Sequence, residues 1–178
     1  MKKVNAFVGL ILVLIFIGAC NNPSEKNLKA EIKNLEDSLF SDASRMINRE
    51  QAMKLIGKYI EYADTYPDDI ETPGTLFKAA DMSMNMNMAQ KAIQLFDRIM
   101  TDFPDYEKAP QCLFLKGYIF ENDVHDLDVA KQIYEEFLLK YPDDEFADDA
   151  EISIKNLGKS PEELIREFEE MAKKRDSV

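Results

Sequence analysis

The chain is poor in the residues that enzymes most often use for chemistry. Its 178 residues include one histidine, His125, and two cysteines, Cys20 and Cys112. The sequence has no set of nucleophile, histidine and carboxylate typical of a catalytic triad, and it has no glycine-rich phosphate-binding loop. The sequence therefore predicts a protein that is not an enzyme, with no catalytic residue and no cofactor.

The same scarcity argues against a metal site. Asp123, Asp126 and Asp128 surround His125, but such a run is more often a solvated acidic turn, and it lacks the glycine and distal glutamate of an EF-hand loop. Four methionines alternate with polar residues between positions 82 and 88. No histidine or cysteine lies near them in sequence to complete a soft-metal site. We therefore predict no metal.

Basic residues are in the minority. There are 22 lysines and arginines against 34 aspartates and glutamates, which gives a net charge of −12. A surface of this charge repels nucleic acids and anionic lipid headgroups. The composition therefore excludes nucleic acid as an expected partner.

Long apolar runs are absent except at the start of the chain. Lys2 and Lys3 precede an uncharged apolar run from Val4 to Ile17, which is followed by Gly18-Ala19-Cys20. A cationic start, an apolar segment and small residues at a cleavage site are typical of a secretory signal. The cysteine after these small residues resembles a bacterial lipobox, which implies lipidation of Cys20. An uncleaved membrane anchor is the alternative.

This segment predicts the first domain boundaries and the location. Residues 1–19 are expected to be a lipoprotein signal peptide, and residues 20–27, which are polar, a tether. No aspartate directly follows Cys20, which by resemblance to enterobacterial sorting rules favours the outer membrane, and no acidic cluster for surface export follows. We therefore expect a cell-envelope lipoprotein of the outer membrane that faces the periplasm and contacts the membrane through acyl chains at Cys20.

Three pairs of an aromatic residue and a proline divide the remaining chain. Tyr66-Pro67, Phe103-Pro104 and Tyr141-Pro142 lie 37 and 38 residues apart. Apolar residues precede each pair at steps of three and four, as on one face of a helix. Proline disfavours a helical conformation in the residue before it, so each helix should end there. A period of this length predicts an all-α solenoid of antiparallel helix pairs.

The repeat positions resemble those of a tetratricopeptide repeat. Counted from Pro73, the family's large, small and aromatic positions and its final proline are occupied by Leu76, Ala80, Ala92, Phe96 and Pro104. The next unit fits with one residue inserted between its helices, through Leu113, Gly117, Phe120, Ala130, Tyr134 and Pro142. The resemblance implies a tetratricopeptide-like domain over residues 28–178, with its best repeats at 73–106 and 110–144.

The two ends of the domain are expected to be helical as well. An N-terminal helix begins at Leu28 and either packs on the first repeat or forms a short coiled coil. A C-terminal capping helix begins after the capping box that starts at Ser160. This cap is expected to bury one apolar face, formed by Leu164, Ile165, Phe168 and Met171.

Smaller expectations concern single residues. Thr72 should cap a helix that starts with Pro73, and Cys112 should be a buried core thiol. Gly117 should lie where two helices approach closely. The methionines of positions 82–88 either pack between helices or line an adaptable binding surface.

The family's groove positions fall on two helices of this chain. They imply a binding site for a protein or peptide partner in the cell envelope, formed by Phe77, Asp81, Met84, Phe114, Tyr118 and Glu121. In this interpretation the aromatic residues anchor apolar side chains and the carboxylates add charge. The alternative is that Phe77 and Phe114 belong to the core.

The lipobox and the repeats together resemble two groups of envelope proteins, the outer-membrane assembly lipoproteins and the Tol-Pal-associated periplasmic repeat proteins. The first hypothesis is a lipid-anchored envelope scaffold that binds other proteins, with outer-membrane protein assembly as its setting. The second is a periplasmic chaperone-like or cell-wall-coordination factor. An enzyme accessory subunit or a solute-capturing lipoprotein is a third.

Overall fold

The computed structural model describes residues 23–41 and 48–176, and within these ranges all regular structure is helical. The predicted signal peptide and Cys20 lie outside the described residues. No helix within these ranges is both long and apolar enough to cross a membrane. The elements are α1 (Pro23–Phe40), α2 (Arg49–Thr65), α3 (Thr72–Asn85), α4 (Ala89–Asp102), α5 (Ala109–Ile119), a π-helical turn (Phe120–Val124), α6 (Leu127–Lys140), α7 (Ala147–Asn156) and α8 (Pro161–Asp176).

Each helix from α1 to α6 packs on the helix that follows it in the chain. Neighbours joined by such short connections are antiparallel, so α1 to α6 form a row of three helix pairs, in which α1, α3 and α5 are the first helices, and α7 packs on the last pair. Two hydrophobic clusters run through the row, one from α1 to α5 and the other from α5 to α7. The prediction of an all-α solenoid is confirmed.

The aromatic-proline pairs end their helices as expected. Tyr66, Phe103 and Tyr141 each follow the last helical residue, and each still donates its backbone N–H to a carbonyl in the last turn, at 2.9, 2.9 and 2.8 Å. The prolines that follow carry no N–H and cannot continue the ladder. The repeat boundaries are therefore set by local backbone chemistry.

Helix α1 begins earlier than the sequence indicated. The predicted tether reaches residue 27, but the helix starts at Pro23. The apolar periodicity begins only at Leu28, so the pattern carries no signal for the first turn. An ion pair 3.0 Å long between Glu25 and Lys29 joins that turn to the next. The apolar side of α1, including Leu28 and Ile32, is buried in the first hydrophobic cluster, so it packs on the repeats as the first of the two alternatives predicted.

Thr72 does not cap α3. Glu71 occupies the cap position, while Thr72 is the first helical residue. The Thr72 hydroxyl donates to the Tyr66 carbonyl at 2.5 Å, and the side chain is fully buried. The threonine therefore ties the end of α2 to the start of α3, and the backbone N–H groups at the start of α3 receive no side-chain cap.

The residue inserted in the later repeat is absorbed by the π-helical turn after α5. This turn widens the helix by one residue per turn, and it ends where His125 adopts a left-handed conformation with φ of 60°. Just before this turn in the chain, Gly117 lies against the ring of Tyr134. A Cβ added to Gly117 would lie 2.8 Å from a ring carbon, so the predicted close approach is confirmed.

The last helix is not the buried cap that the sequence predicted. The capping box itself is present, since Ser160 and Glu163 exchange hydrogen bonds of 2.8 and 3.2 Å. However, Ile165, Phe168 and Met171 are 59%, 62% and 49% exposed, and Leu164 is only partly buried. The amphipathic pattern shows which residues share a face, but it does not show whether another helix covers that face.

Candidate protein-binding groove

Two clefts lie along the first helices of successive pairs. The first has a volume of about 870 Å³ and lies between the end of α1 and the second half of α3, with Tyr59 of α2 at its base. The second has a volume of about 430 Å³ and lies between the end of α3 and the middle of α5. Asn85 lines both clefts. The two clefts are therefore neighbours on either side of this residue, and we refer to them together as the first-helix groove.

Glu36 joins the three helices of the first cleft. Its Oε1 accepts a hydrogen bond from the Tyr59 hydroxyl at 2.6 Å and another from Lys78 Nζ at 2.9 Å. Burial alone would raise the pKa of Glu36, but these two donors outweigh it and hold the pKa below its ordinary value. The pKa of the Tyr59 hydroxyl is raised, first by burial and then by the neighbouring carboxylate. Glu36 is therefore an ionised acceptor that fixes the base of the cleft.

The first cleft combines an acidic rim with an apolar surface. Asp37 and Asp81 add two carboxylates to Glu36, and Lys78 is the one basic residue among the described side chains of the lining. Phe40, which is 54% exposed, contributes apolar surface at the end of α1. Carboxylates next to exposed apolar surface suit a partner that offers a basic and an apolar side chain together.

The second cleft is less charged. Its lining comes from the end of α3, the α3–α4 turn, α5 and the π-helical turn, and it consists of Met84, Asn85, Asn87, Phe114, Leu115, Tyr118 and Asp123. Asn87 lies in the turn with φ of 56°, a left-handed conformation that asparagine tolerates better than most residues. Tyr118 is 44% exposed, so its ring is an accessible surface for a partner.

Four of the six predicted groove residues line these clefts. Asp81 lines the first cleft, whereas Met84, Phe114 and Tyr118 line the second. Phe114 has two environments, since its ring also stacks on Phe146 with 4.9 Å between centroids. It is therefore part of the core as well as of the cleft wall, and Tyr118 is the more accessible aromatic residue.

The other two predicted residues are placed differently. The Phe77 ring lies 6.0 Å from the Phe96 ring, and Lys108 Nζ lies 4.8 Å from the Phe77 centroid, so this ring is covered. Glu121 accepts a hydrogen bond from the Tyr134 hydroxyl at 2.8 Å. Neither residue lines the two clefts. Glu121 falls in the π-helical turn, where positions counted along an α-helix no longer apply.

Little in the sequence points to the residues that form the first cleft. Glu36, Phe40 and Tyr59 come from α1 and α2, which match the repeat pattern least. Met82 also lines this cleft, and Met84 lines the second, while both methionines pack against the first hydrophobic cluster. The predicted packing role is therefore confirmed for these two methionines, and a binding role stays a prediction. The one sequence signal for this cleft is Phe40, which follows Glu36 and Asp37 at the end of α1.

The described residues offer no site for a metal or for thiol chemistry. No group of three or more potential ligands among histidine, cysteine, aspartate and glutamate is placed to hold an ion in the described part of the chain. Cys112 is fully buried, as predicted, and burial raises the pKa of its thiol to about 12. A thiol with this pKa is protonated at neutral pH and is a poor nucleophile.

Comparison with known families supports the repeat assignment. The tetratricopeptide repeat model matches residues 75–106, which cover α3, α4 and the connection to α5. No curated protein matches the chain. The chain is therefore tetratricopeptide-like over this repeat, and folds of this type are typically interaction scaffolds without enzymatic activity.

Proposed function

We propose that the protein is a lipid-anchored scaffold of the cell envelope that binds a protein partner in the first-helix groove. The observation that carries this proposal is the adjacency of the two clefts, which share Asn85 as a lining residue. Stacked helix pairs generate extended concave surfaces on which partners bind. A partner that follows both clefts past α1, α3 and α5 would bind as an extended or helical segment.

The lining predicts the chemistry of that segment. A basic side chain would lie beside Asp37 and Asp81, and an apolar side chain would contact Phe40. Further along, an apolar or aromatic side chain would contact Tyr118. Charge complementarity of this kind contributes mainly to specificity and to the rate of association, whereas a well-packed aromatic contact contributes to affinity.

The envelope location is supported by the sequence features around Cys20. An acidic protein gains little from direct contact with anionic lipids, so stable attachment would depend on acyl chains. Within the envelope, the role that we propose for the scaffold is outer-membrane protein assembly. The alternative is a periplasmic chaperone-like or cell-wall-coordination factor, which is favoured by the methionines at both clefts because flexible thioether side chains adapt to varied partners.

In-cell photo-crosslinking tests the groove and separates the two functions. A photoreactive amino acid at position 118 would lie in the second cleft. The matched control is position 139, because Leu139 is 83% exposed on α6, the second helix of its pair. Captured proteins are identified by mass spectrometry.

The expected result is one dominant integral outer-membrane protein linked to position 118 and not to position 139. A broad set of soluble periplasmic proteins linked to position 118 alone would instead support the chaperone-like function. Equal capture from both positions, or capture from position 139 only, would show that the groove is not the binding site.

A further inference from the structure

The first cleft already holds a cation that belongs to the chain itself. Lys78 Nζ lies 2.9 Å from Glu36 Oε1 and over the Tyr59 ring, 5.7 Å from its centroid. Among the described lysines, only Lys78 forms an ion pair with Glu36. A carboxylate next to the face of an aromatic ring binds ammonium and guanidinium groups. Lys78 therefore occupies a position that also suits the basic side chain of a partner.

Glu36 does not depend on Lys78 alone for its orientation. The hydroxyl of the buried Tyr59 donates to the same oxygen, Glu36 Oε1, at 2.6 Å. This hydrogen bond comes from α2, whereas Lys78 belongs to α3. If Lys78 moved away, the Tyr59 hydroxyl would still hold the carboxylate. The cation position is therefore formed by α1 and α2, and α3 only fills it.

Lys78 can leave this position at little cost. Its side chain is 59% exposed, against 27% for Glu36, so the displaced ammonium would return to water. An ion pair with this much exposure is weak because solvent screens it. Asp37 and Asp81 line the same cleft, and their charges would attract an incoming cation. The arrangement therefore permits the exchange of one cation for another.

We propose that Lys78 competes with a partner's basic side chain for Glu36 and in this way sets the specificity of the first cleft. This inference rests on the proposed function, since it concerns the partner that the first-helix groove would bind. The apparent affinity for a basic side chain is lowered by the fraction of molecules in which Lys78 fills the position. Charge alone is therefore insufficient, and the partner must also bring an apolar side chain for Phe40 and Met82, which line the same cleft.

Two matched peptides test this competition. One is acetyl-arginyl-phenylalanyl-amide, and the other carries citrulline, which has the shape of arginine without its charge. Binding to the full chain purified from cells is measured by ligand-observed NMR. Lys78→Met removes the ammonium and keeps an apolar side chain of similar length. We expect this variant to bind the arginine peptide about fivefold more tightly than the natural chain does, and the citrulline peptide with unchanged affinity.

Three control variants separate competition at Glu36 from a general change in charge. Lys33→Met removes the same charge from an exposed position on α1 and should change neither affinity by more than about twofold. Lys78→Arg keeps a cation and should bind as the natural chain does. In a Glu36→Gln background, Lys78→Met should no longer raise the affinity for the arginine peptide. Thermal melting checks the fold of each variant, and Lys78→Gln repeats the measurement with a second uncharged side chain.

Each contrary result has a distinct meaning. If the arginine peptide bound the natural chain and Lys78→Met equally well, the competition would be overturned while the proposed function stood. An equal gain from Lys33→Met would overturn it as well, because net charge alone would then explain the effect. If neither peptide bound the natural chain or Lys78→Met, both the competition and the proposed basic and apolar partner would be overturned.

Discussion

Gly117 and Tyr134 are in direct contact across the α5–α6 pair, and there is no room for a side chain between them. A Cβ at Gly117 would lie 2.8, 2.9 and 3.2 Å from three carbons of the Tyr134 ring. The ring is fully buried, and its hydroxyl donates to Glu121 at 2.8 Å. The surrounding core and this hydrogen bond therefore fix the ring, and moving it away from Gly117 would cost free energy.

Gly117→Ala should consequently destabilise the protein although alanine favours helices. Overpacking of this kind costs about 1–3 kcal/mol, which exceeds the gain of about 0.5–1 kcal/mol from replacing a helical glycine. The free energy of unfolding, measured with urea, should therefore fall.

Gly57→Ala is the matched control, because no atom beyond the adjacent residues and the local backbone of α2 lies within 4 Å of the added Cβ. This variant should be more stable than the natural chain, by about 0.5–1 kcal/mol. If the two variants changed stability in the same direction, the close contact would not exist in solution.

Tyr59 and Glu36 should be energetically coupled. Their hydrogen bond of 2.6 Å links α2 to α1, and Tyr59→Phe removes it without changing the ring. A double-mutant cycle with Glu36→Gln should give a coupling energy of about 1 kcal/mol, since solvent screens the carboxylate on one side. Tyr66→Phe serves as a control that should show no coupling to Glu36.

The same pair predicts a dependence of stability on pH. The pKa of Glu36 is lower in the folded protein than its ordinary value of 4.5. Its stabilising contribution is therefore complete above that value and is lost as the pH falls through the folded pKa. The loss of unfolding free energy on acidification should be smaller in Glu36→Gln than in the natural chain. Identical losses would show that Glu36 contributes nothing to this dependence.

Cys112 should resist thiol reagents in the folded protein. Burial and a pKa of about 12 both oppose formation of the thiolate, which is the reactive species. In a Cys20→Ser background, labelling by a maleimide should be slow in buffer and rapid in urea, as followed by intact mass. Fast labelling of the native protein would place the thiol at the surface.

Lipidation of Cys20 predicts where the protein fractionates. Cys20→Ser removes the sulfur that would carry the lipid, so the mature protein should leave the membrane fraction after cell lysis. Ser24→Ala, four residues further on, should leave fractionation unaltered. Retention of Cys20→Ser in the membrane would instead support the uncleaved anchor.

The repeats were predictable from the sequence because their signals are local. The prolines after Tyr66, Phe103 and Tyr141 end helices through their own backbone chemistry, and the small residue at Gly117 marks a close approach. These features do not depend on what a distant element does. The helix pairs could therefore be predicted almost completely.

The groove and the last helix could not be predicted in the same way. The first cleft depends on Glu36 and Tyr59, which meet only after α1 docks on α2, and no repeat position marks either. Glu121 lies outside the groove because the π-helical turn changes the register. The amphipathic pattern of α8 shows that Phe168 shares a face with other apolar residues, but an uncovered face and a buried face have the same periodicity.

The central claim is that a protein partner binds in the first-helix groove. Measuring how variants of the groove bind an identified partner tests it most directly. Once photo-crosslinking has identified a partner, its binding to Asp81→Lys and Tyr118→Ala is measured beside Asp128→Lys, a charge reversal at an exposed position on α6, and thermal melting checks the fold of each. The account predicts that each groove variant binds at least about tenfold more weakly, a loss of ~1.4 kcal/mol, while Asp128→Lys binds as the natural chain does. Equal binding by all three folded variants would contradict it.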